Sequence, residues 1–131
     1  MSEPTGYILR IYRDELEERQ LFSRHTFYVS VRRDWSRGKK VLFVRKDAFV
    51  GSGVIDRFVG IDGLEQPEKE LCLENNWYGK IVFAMLARYV PSVLVQDTLV
   101  AGQNPLALHG VNLTGPDALQ IERLATARIM S

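Results

Sequence analysis

Apolar and polar residues alternate along much of the chain, and this pattern predicts a protein built mainly from short β-strands. Residues 7–12 (YILRIY) form the first predicted strand. Residues 27–32 alternate strictly, which predicts a second strand whose polar members, Arg32 among them, face away from the core. Residues 41–44 are continuously apolar, as is typical of a strand buried on both faces. These segments predict a sheet with a covered, central strand.

Turn residues and glycines divide the next part of the chain. The segment SRGKK at 36–40 predicts a turn, and residues 46–48 predict a tight connection into a strand at 49–61. That strand carries Gly51, Gly53 and Gly60, and glycine inside a strand marks a bulge, a bend or a close backbone approach. Strongly curved strands favour a small closed or half-closed barrel.

The pattern after residue 61 is less regular. Residues 62–76 carry several acids around Pro67, which predicts a surface loop or one helical turn. Residues 80–90 predict a long strand ending at Pro91, and residues 93–100 a further strand or strand pair broken around Gln96 and Asp97. Residues 102–110 are expected to form a polar loop.

Two helices are predicted, one near each end of the chain. Asp14 and Glu17 have the spacing of a capping-box-like pair, which opens a short helix reaching about residue 22. The segment Gly115-Pro116-Asp117 is a strong helix start. Four apolar residues then share one helical face: Ala118, Ile121, Ala125 and Ile129. The predicted fold class is α+β, a small twisted mixed β-barrel with a short N-terminal and a C-terminal helix.

Composition places the chain among ordinary globular proteins. Its 131 residues, 46% of them hydrophobic and 25% charged, predict a single domain over 1–131 with a real core. The single cysteine, Cys72, cannot form an internal disulfide, which favours a cytoplasmic protein. The start lacks a signal-peptide pattern, and the longest apolar run, 81–87, is too short to span a bilayer, so no membrane association is expected.

The charge is unevenly distributed, although the net charge is only +1. Of 17 Lys and Arg residues, seven lie in residues 32–46, here named the basic segment, against the single acid Asp34. They are Arg32, Arg33, Arg37, Lys39, Lys40, Arg45 and Lys46. With a solvent-exposed Trp35 among them, they offer phosphate neutralisation and a stacking face, the two contributions that single-stranded nucleic acid requires. The alternative is that the charges are solvated strand ends and Trp35 packs over a barrel end.

A second candidate is the segment NNWYGK at residues 75–80, where amides and aromatic rings precede a strand. Trp77 and Tyr78 could stack on a base while Asn76 reads its edge, and Lys80 adds a positive charge. The alternative is a turn in which the asparagines adopt left-handed or Asx-turn geometry and Trp77 fills the barrel mouth.

His109 could donate to a phosphate or a base, although a lone histidine beside a glycine is commonly a hydrogen-bonded turn residue. No metal site is predicted, because His25 and His109 are the only histidines and neither lies in a ligand-spaced cluster. No cofactor is expected either.

Catalytic motifs of recognisable spacing are absent from the sequence. An amidohydrolase could nevertheless combine a lysine, a threonine and a carboxylate. The candidates for such a set are Lys46, Lys80, Asp47, Asp97, Thr98 and the acids between Glu65 and Glu74.

Two stretches resemble the PUA-like superfamily, which includes the PUA, ASCH, EVE and YTH domains. GKKVLFV at 38–44 followed by FVGSGVI at 49–55 is similar to the strand, short turn and glycine-kinked strand of those domains. WYGKI at 77–81 leads into a long strand, as it does there. The resemblance covers residues 28–124 and is closest to an uncharacterised, largely archaeal PUA-like family.

The resemblance implies recognition of RNA or of a modified nucleobase in a pocket at the barrel mouth, with stacking by Trp35, Trp77 and Tyr78. The chain departs from characterised members in two ways. A three-aromatic cage like that of the YTH domains does not align, and the lysine-threonine-glutamate arrangement of ASCH hydrolases is not found at matching spacing.

These observations lead to one hypothesis and two alternatives. The hypothesis is a non-enzymatic RNA- or nucleotide-binding module in which Trp35, Trp77 and Tyr78 stack and Asn76 and His109 give polar readout. Its phosphate contacts would be Arg32, Arg33, Lys39, Lys40, Arg45 and Lys46. The first alternative is a small amidohydrolase acting on a modified nucleoside. The second is a protein-interaction domain whose acidic and basic segments pair between subunits, giving a homodimer.

Overall fold

The structure is a computed structural model that describes residues 6–11, 15–98, 109–125 and 127–130. Its strands are β1 (Gly6–Arg10), β2 (Thr26–Val29), β3 (Lys40–Arg45), β4 (Ala48–Gly60), β5 (Gly79–Leu94), β6 (Asn112–Leu113) and β7 (Ala127–Met130). Its α-helices are α1 (Glu15–Arg24), α2 (Gln66–Asn75) and α3 (Gly115–Leu124). Short 3₁₀ turns at Ile61–Gly63 and Val95–Asp97 follow β4 and β5.

The strands form one mixed sheet in the order β2-β5-β4-β3-β1-β6. β1 and β3 are parallel, and the other pairs are antiparallel. β5 pairs with β2 through residues 79–82 and with β7 through residues 86–89. The α+β class and the mixed sheet are therefore confirmed, but among the described strands the sheet is open rather than closed.

The core lies on both faces of the sheet. Leu9, Val41 and Phe43 pack on one face with Leu21 and Phe22 of α1. The intervening residues Ile8, Leu42 and Val44 pack on the other face with Ala118 and Ile121 of α3. Because residues 41–44 are all 0% exposed, β3 is buried on both faces, as its continuous apolar run predicts.

Two of the three glycines of β4, Gly51 and Gly53, lie where the chain has no room for a side chain, whereas Gly60 lies in open space. A Cβ at Gly51 would come within 2.5 Å of both the Ala87 carbonyl oxygen and the Phe22 ring. The register between β4 and β5 also shifts between Phe49 and Gly51 and again around Ile55. The expected bulges and close approaches are confirmed around Gly51 and Gly53 but not at Gly60.

Residues 62–76 contain a ten-residue helix, α2, so the expectation of a loop or a single helical turn is wrong. Pro67 lies in the first turn, Glu68 places an acid at the positive end of the helix, and Asn76 ends it with a left-handed backbone at φ 58°. Because Cys72 is the residue of α2 that is buried, the helix lacks the apolar stripe that would have predicted it.

β5 continues past Pro91 to Leu94, so its predicted end at Pro91 is also wrong. The pairing moves from Gly51↔Arg88 to Phe49↔Val93, which leaves Pro91 in a bulge of β5. A proline at such a position loses no ladder hydrogen bond, because its missing N–H is not required there. Residues 93–94 thus belong to β5, the following Val95–Asp97 is a 3₁₀ turn, and 99–100 lie outside the described residues.

Both terminal helices differ in length from their predictions. α1 extends to Arg24, and its expected cap Asp14 lies outside the described residues. α3 begins at the predicted start but ends at Leu124, so Ile129 belongs to β7 and not to a helical face. Likewise β2 ends at Val29, three residues before the predicted end, and most of the predicted 102–110 loop is not described.

Candidate nucleic-acid interface

The basic segment does not form one continuous patch, because β3 divides it. Lys40 begins this strand and Arg45 ends it. Five residue steps of about 3.3 Å separate them, a distance of about 17 Å. Lys46 follows in the turn to β4 with a left-handed backbone at φ 58°. Arg45 and Lys46 therefore lie at the end of β3 opposite to Lys39 and Lys40.

Several of these cations pair with acids of the same chain. Lys40 Nζ forms an ion pair with Glu122 of α3. Arg45 Nε donates to Glu18 Oε2 at 3.0 Å, and the Glu18 side chain is only 4% exposed. Lys39 Nζ lies 3.8 Å from Asp34 Oδ2, and the Lys39 side chain is 13% exposed. These contacts neutralise much of the charge that the sequence suggested for a phosphate backbone.

Trp35 is not exposed, and the expectation of a solvent-exposed stacking face at this position is wrong. Its side chain lies in the core at 4% exposure, edge-on to Tyr7 with ring centroids 5.0 Å apart. The indole Nε1 donates to the Tyr78 hydroxyl at 2.5 Å. The indole ring packs beneath the loop that follows β2, because burying its large aromatic surface is more favourable than burying the charged side chains beside it. The packing alternative is thus the correct one for this residue.

Tyr78 connects that core to the surface. It packs against Phe58 with ring centroids 5.1 Å apart. The exposed Arg32 places its guanidinium carbon 4.6 Å from the Tyr78 ring centroid, in cation–π range. This contact holds the positively charged Arg32 side chain against the Tyr78 ring at the surface.

The outward side of β2 and the start of β5 carry a cluster that joins an aromatic stack to an ion pair. Tyr28 and Trp77 lie parallel, with centroids 4.9 Å apart and 8° between the rings. Tyr28 Oη donates to Glu68 Oε2 at 2.7 Å, and Lys80 Nζ donates to the same oxygen at 2.6 Å. We name these four residues the Tyr28–Trp77 cluster.

The polar groups of this cluster have shifted proton affinities. Burial, reinforced by the hydrogen bond to Glu68, raises the pKa of Tyr28 well above its ordinary value. The hydrogen bonds from Lys80 and Tyr28 lower the pKa of Glu68. Burial raises the pKa of the neighbouring Cys72 thiol. At neutral pH the cluster therefore holds a carboxylate and a protonated phenol, which suits an anchor for aromatic rings more than a general base.

The end of α2 determines where Trp77 lies. Asn76 takes the left-handed C-cap position, as its residue type allows, and is exposed. Trp77 N then donates to the Cys72 carbonyl at 2.9 Å, and Tyr78 N donates to the Val29 carbonyl at 2.9 Å. The turn geometry expected for the asparagines is thus present at Asn76, and the same geometry leaves Trp77 only partly buried.

His109 lies beside β1, away from the Tyr28–Trp77 cluster. Its Nδ1 accepts from the backbone N–H of Arg10 at 3.0 Å. Burial, with Arg33 and Arg10 nearby, lowers the pKa of His109, which keeps the imidazole neutral at pH 7. Arg33 Nε donates to the adjacent Gly110 carbonyl at 2.8 Å. The structure therefore brings Arg33 and His109 together as parts of a hydrogen-bonded turn.

The candidate catalytic residues separate into two groups. Lys46 and Asp47 form the β3–β4 turn, where the Asp47 carbonyl accepts from Val95 N at 2.8 Å and so lies near Asp97 and Thr98. Lys80 lies instead with Glu68, one of the acids between 65 and 74. Within the described part of the chain, no group of three His, Cys, Asp or Glu residues could hold a metal ion. No described helix is long and apolar enough to cross a bilayer.

Sequence reasoning missed Tyr28 as a member of the site. Its alternation with Phe27 and Val29 on β2 was the available signal, because those two residues are buried and Tyr28 must then face outward. The cross-strand pairing Tyr28↔Lys80 brings β2 and β5 together at that position.

Comparisons with known proteins agree with this architecture. No family model matches the chain, and no curated protein matches it. Among solved structures, it is similar to an ASCH from Zymomonas mobilis, with a TM-score of 0.65 and 7% sequence identity over 91% of this chain and 94% of that one. The chain therefore shares the fold of an ASCH domain, one of the domain types that its sequence resembles.

Proposed function

We propose that this protein is a non-enzymatic RNA-binding module whose contact surface is the Tyr28–Trp77 cluster together with Arg32. The parallel Tyr28–Trp77 stack carries the proposal. A ring that is already stacked on one face and remains partly exposed offers a flat surface to an unpaired base. Arg32 is held over the ring of Tyr78, the residue that follows Trp77, and supplies the positive charge of the proposed surface.

The fold supports the same class of partner, because the ASCH-like fold suggests an RNA-binding domain family. The charge distribution favours single strands over duplexes. Duplex binding depends on many phosphate contacts along an extended surface, whereas Lys40 and Arg45 are engaged by Glu122 and Glu18. A short single strand needs fewer charges when its bases stack on aromatic rings.

Residues of the basic segment contribute unequally in this proposal. Arg32, exposed in the loop after β2 and held over the Tyr78 ring, is the expected phosphate contact. Arg33, whose guanidinium donates to the Gly110 carbonyl beside His109, is expected to contribute less. Asn76 is exposed beside Trp77 and is the expected polar reader of a base edge. Lys39, Lys46 and His109 are expected to affect binding less, because they lie farther from the Tyr28–Trp77 cluster.

The test is a fluorescence-anisotropy titration with labelled single-stranded and duplex RNA at two salt concentrations. Trp77→Ala is expected to weaken single-strand binding about tenfold or more, because base stacking contributes about 1–3 kcal/mol. Arg32→Gln is expected to weaken binding and to reduce its salt dependence. Arg37→Gln is the matched control, since it removes the same charge from a side chain that is 84% exposed and 3.9 Å from Asp56.

Two outcomes would overturn the proposal. One is no measurable binding of any RNA at low salt by the folded protein. The other is binding that Arg32→Gln and Arg37→Gln weaken equally while Trp77→Ala has no effect, since this would indicate general attraction to a polyanion. A preference for duplex RNA would contradict the stacking component.

A second candidate function, hydrolysis of an amide bond in a modified nucleoside, is favoured by one observation. Lys80 and Glu68 are 2.6 Å apart beside an aromatic ring, so a lysine and a carboxylate do meet. The lowered pKa of Glu68 makes it a weak base, which is why we place this function second. Release of a small acid from an N-acylated nucleoside, lost in both Lys80→Met and Glu68→Gln, would place it first.

A further inference from the structure

The edge of β1 that faces away from β3 is covered by β6 and by the three residues before β6. Two backbone bonds of this pairing are made at Ile8, whose N–H donates to the Val111 carbonyl at 2.9 Å and whose carbonyl accepts from Gly110 N at 2.7 Å. The backbone N–H of Arg10 donates instead to a side chain, His109 Nδ1, at 3.0 Å. The imidazole thus takes the place of a main-chain carbonyl at the end of this ladder.

This last bond requires a neutral imidazole. Nδ1 of His109 can accept only while it carries no proton, so the ring proton of the bonded form lies on Nε2. A proton on Nδ1 would place two N–H donors against each other at 3.0 Å. The N–H of the buried Arg10 would also lose this acceptor, and a buried donor that loses its acceptor destabilises the contact it belonged to.

The charges around the imidazole also oppose its protonation. Burial comes first, and then Arg33 of the loop after β2 and Arg10 of β1 lower the pKa of His109. The Arg10 guanidinium is held in place, because its Nη1 donates to the Lys46 carbonyl of the β3–β4 turn at 2.9 Å. Asp34, the acid of the loop after β2, lies instead 3.8 Å from a lysine of the same loop. Among the described residues, the charged groups that act on the imidazole are therefore both cations.

The turn formed by His109 and Gly110 also supports the loop that carries Arg32. A Cβ at Gly110 would lie 2.9 Å from Val31 Cγ2 and 3.2 Å from Arg33 Nη2, so the backbone there packs directly against both residues. Arg33 Nε also donates to the Gly110 carbonyl at 2.8 Å. Val31 and Arg33 flank Arg32 in the chain, so a movement of the turn removes support from both sides of Arg32.

We propose that His109 is an acid-sensitive switch: protonation of its imidazole breaks the bond to the Arg10 N–H and releases the turn from β1. The released turn no longer holds Arg33, and the loop that places Arg32 over Tyr78 becomes mobile. The release itself follows from the fold, whereas its effect on RNA rests on the proposed function, because it acts through Arg32. His109 itself does not need to touch the RNA.

The switch operates on the acid side of pH 6.5. An unperturbed histidine has a pKa of about 6.5, and the pKa of folded His109 is lower. The stabilising contribution of the neutral imidazole is therefore complete above pH 6.5 and is lost as the pH falls toward the folded pKa. Between pH 7.5 and 5.5 this residue alone is expected to raise the unfolding equilibrium constant several-fold, to a limit of about tenfold.

The experiment follows the imidazole and the turn by NMR while the pH of the full chain is lowered from 8 to 5. The ring C–H resonances of His109 and His25, the two histidines of the chain, report protonation. The backbone amide resonances of Arg10 and Gly110 report the bonds to β1. We expect both amide resonances to shift together with the titration of His109, at a midpoint below pH 6.5.

His109→Asn is the decisive variant, because the asparagine Oδ1 lies the same number of bonds from Cα as the histidine Nδ1 and accepts without titrating. It is expected to abolish the acid shifts of the Arg10 and Gly110 amides and the extra acid sensitivity in urea unfolding. His25→Asn is the matched control, since His25 has a left-handed backbone at φ 59° that asparagine tolerates. The control is expected to keep the acid shifts of the wild type.

The effect on RNA is measured by fluorescence anisotropy at pH 7.5 and 5.5. Over this range the wild type is expected to lose about threefold more affinity for single-stranded RNA than His109→Asn, which is the order of one exposed cation–π contact. Equal losses together with the expected NMR shifts would overturn the connection to Arg32. No RNA binding at pH 7.5 would overturn the RNA-binding proposal, and the NMR titration would still decide whether the turn is released.

The switch is overturned if His109 titrates while the Arg10 and Gly110 amides do not shift. It is also overturned if His109 titrates at or above pH 6.5, or if folded His109→Asn keeps the acid shifts of the wild type. The wild-type titration alone decides the first two outcomes, so the test does not depend on the variant being folded.

Discussion

Tyr28 stacks in parallel on Trp77 at 4.9 Å while its hydroxyl donates to Glu68 at 2.7 Å. The phenol is therefore fixed at both its face and its edge. Because Glu68 belongs to α2 and Tyr28 to β2, the contact also fixes the helix on the sheet. The aromatic surface is thus held by a polar anchor, and a base stacking on it would meet a ring whose orientation is already determined.

The two tryptophans are expected to differ sharply in solvent access. Trp35→Phe leaves the partly exposed Trp77, and Trp77→Phe leaves Trp35, which is 4% exposed. Acrylamide quenching of intrinsic fluorescence is expected to be several-fold steeper in the Trp35→Phe variant. Equal slopes for the two variants would contradict the burial of Trp35. Quenching by single-stranded RNA is expected to follow the same order.

Glu68 makes the stability of the protein dependent on pH. Its folded pKa is lowered, mainly by Lys80 and then by Tyr28, so its contribution is present above the unfolded pKa of about 4.3. That contribution is lost as the pH falls through the lower, folded pKa. Because the side chain is 33% exposed, we expect Glu68→Gln to cost about 1 kcal/mol at pH 7.

Urea unfolding at several pH values between 7 and 3 measures this effect. The difference in unfolding free energy between wild type and Glu68→Gln is expected to shrink toward acid pH. Glu74→Gln is the control, since Glu74 is exposed on the same helix. A difference that stays constant with pH would show that Glu68 contributes through something other than its charge.

Arg45 is expected to act on stability and not on RNA affinity. Arg45→Met leaves Glu18 at 4% exposure with Arg88, at 3.6 Å, as the remaining cation among the described residues. Removing one partner of a buried pair is costly, and we expect a loss of about 2–3 kcal/mol in urea unfolding. Arg37→Met, at a side chain 84% exposed, is expected to change stability by less than about 0.5 kcal/mol. If Arg45→Met left the stability unchanged but greatly weakened RNA binding, Arg45 would be a phosphate contact and not a stabilising ion-pair partner.

Two glycines of the same strand are expected to respond differently to alanine. Gly51→Ala places a Cβ 2.5 Å from the Ala87 carbonyl oxygen, which the backbone cannot accommodate without moving β4 from β5. We expect a loss of about 2 kcal/mol or more, as measured by thermal or urea unfolding. At Gly60 nothing lies within 4 Å of the added Cβ, so Gly60→Ala is expected to be within about 0.5 kcal/mol of wild type. Similar losses at both positions would contradict the register of β4 on β5.

Local patterns predicted the elements whose residues act within a few positions of each other. The continuous apolar run of β3, the glycine-marked bulges of β4 and the proline-led start of α3 all followed from short-range rules. α2 was missed because charges surround it and its apolar residues do not form a stripe. The signals for this helix are Pro67 at its start and the Asn76 cap at its end, and hydrophobic periodicity alone does not detect them.

The candidate site was harder to predict, because its contacts are long-range. Lys40 pairs with a glutamate 82 residues away and Arg45 with one 27 residues away, so the sequence shows the cations without their partners. The sequence did identify Trp77 and Tyr78 as candidates, because both lie in the segment NNWYGK. The stack of Trp77 on Tyr28 requires the β2–β5 pairing, and that pairing follows from the assembled sheet and not from local spacing.

The sixteen-residue strand β5 has a consequence for how the chain emerges during synthesis. Two separate strands pair with one edge of β5. β2, which precedes β5 in the chain, pairs with residues 79–82. β7 pairs with residues 86–89, and its Ala127 pairs with Tyr89, 38 residues earlier. A nascent chain that has made β5 but not β7 therefore presents open backbone donors and acceptors at residues 86–89. This interval is when a second nascent copy, or a chaperone that recognises extended strands, has its best opportunity to bind.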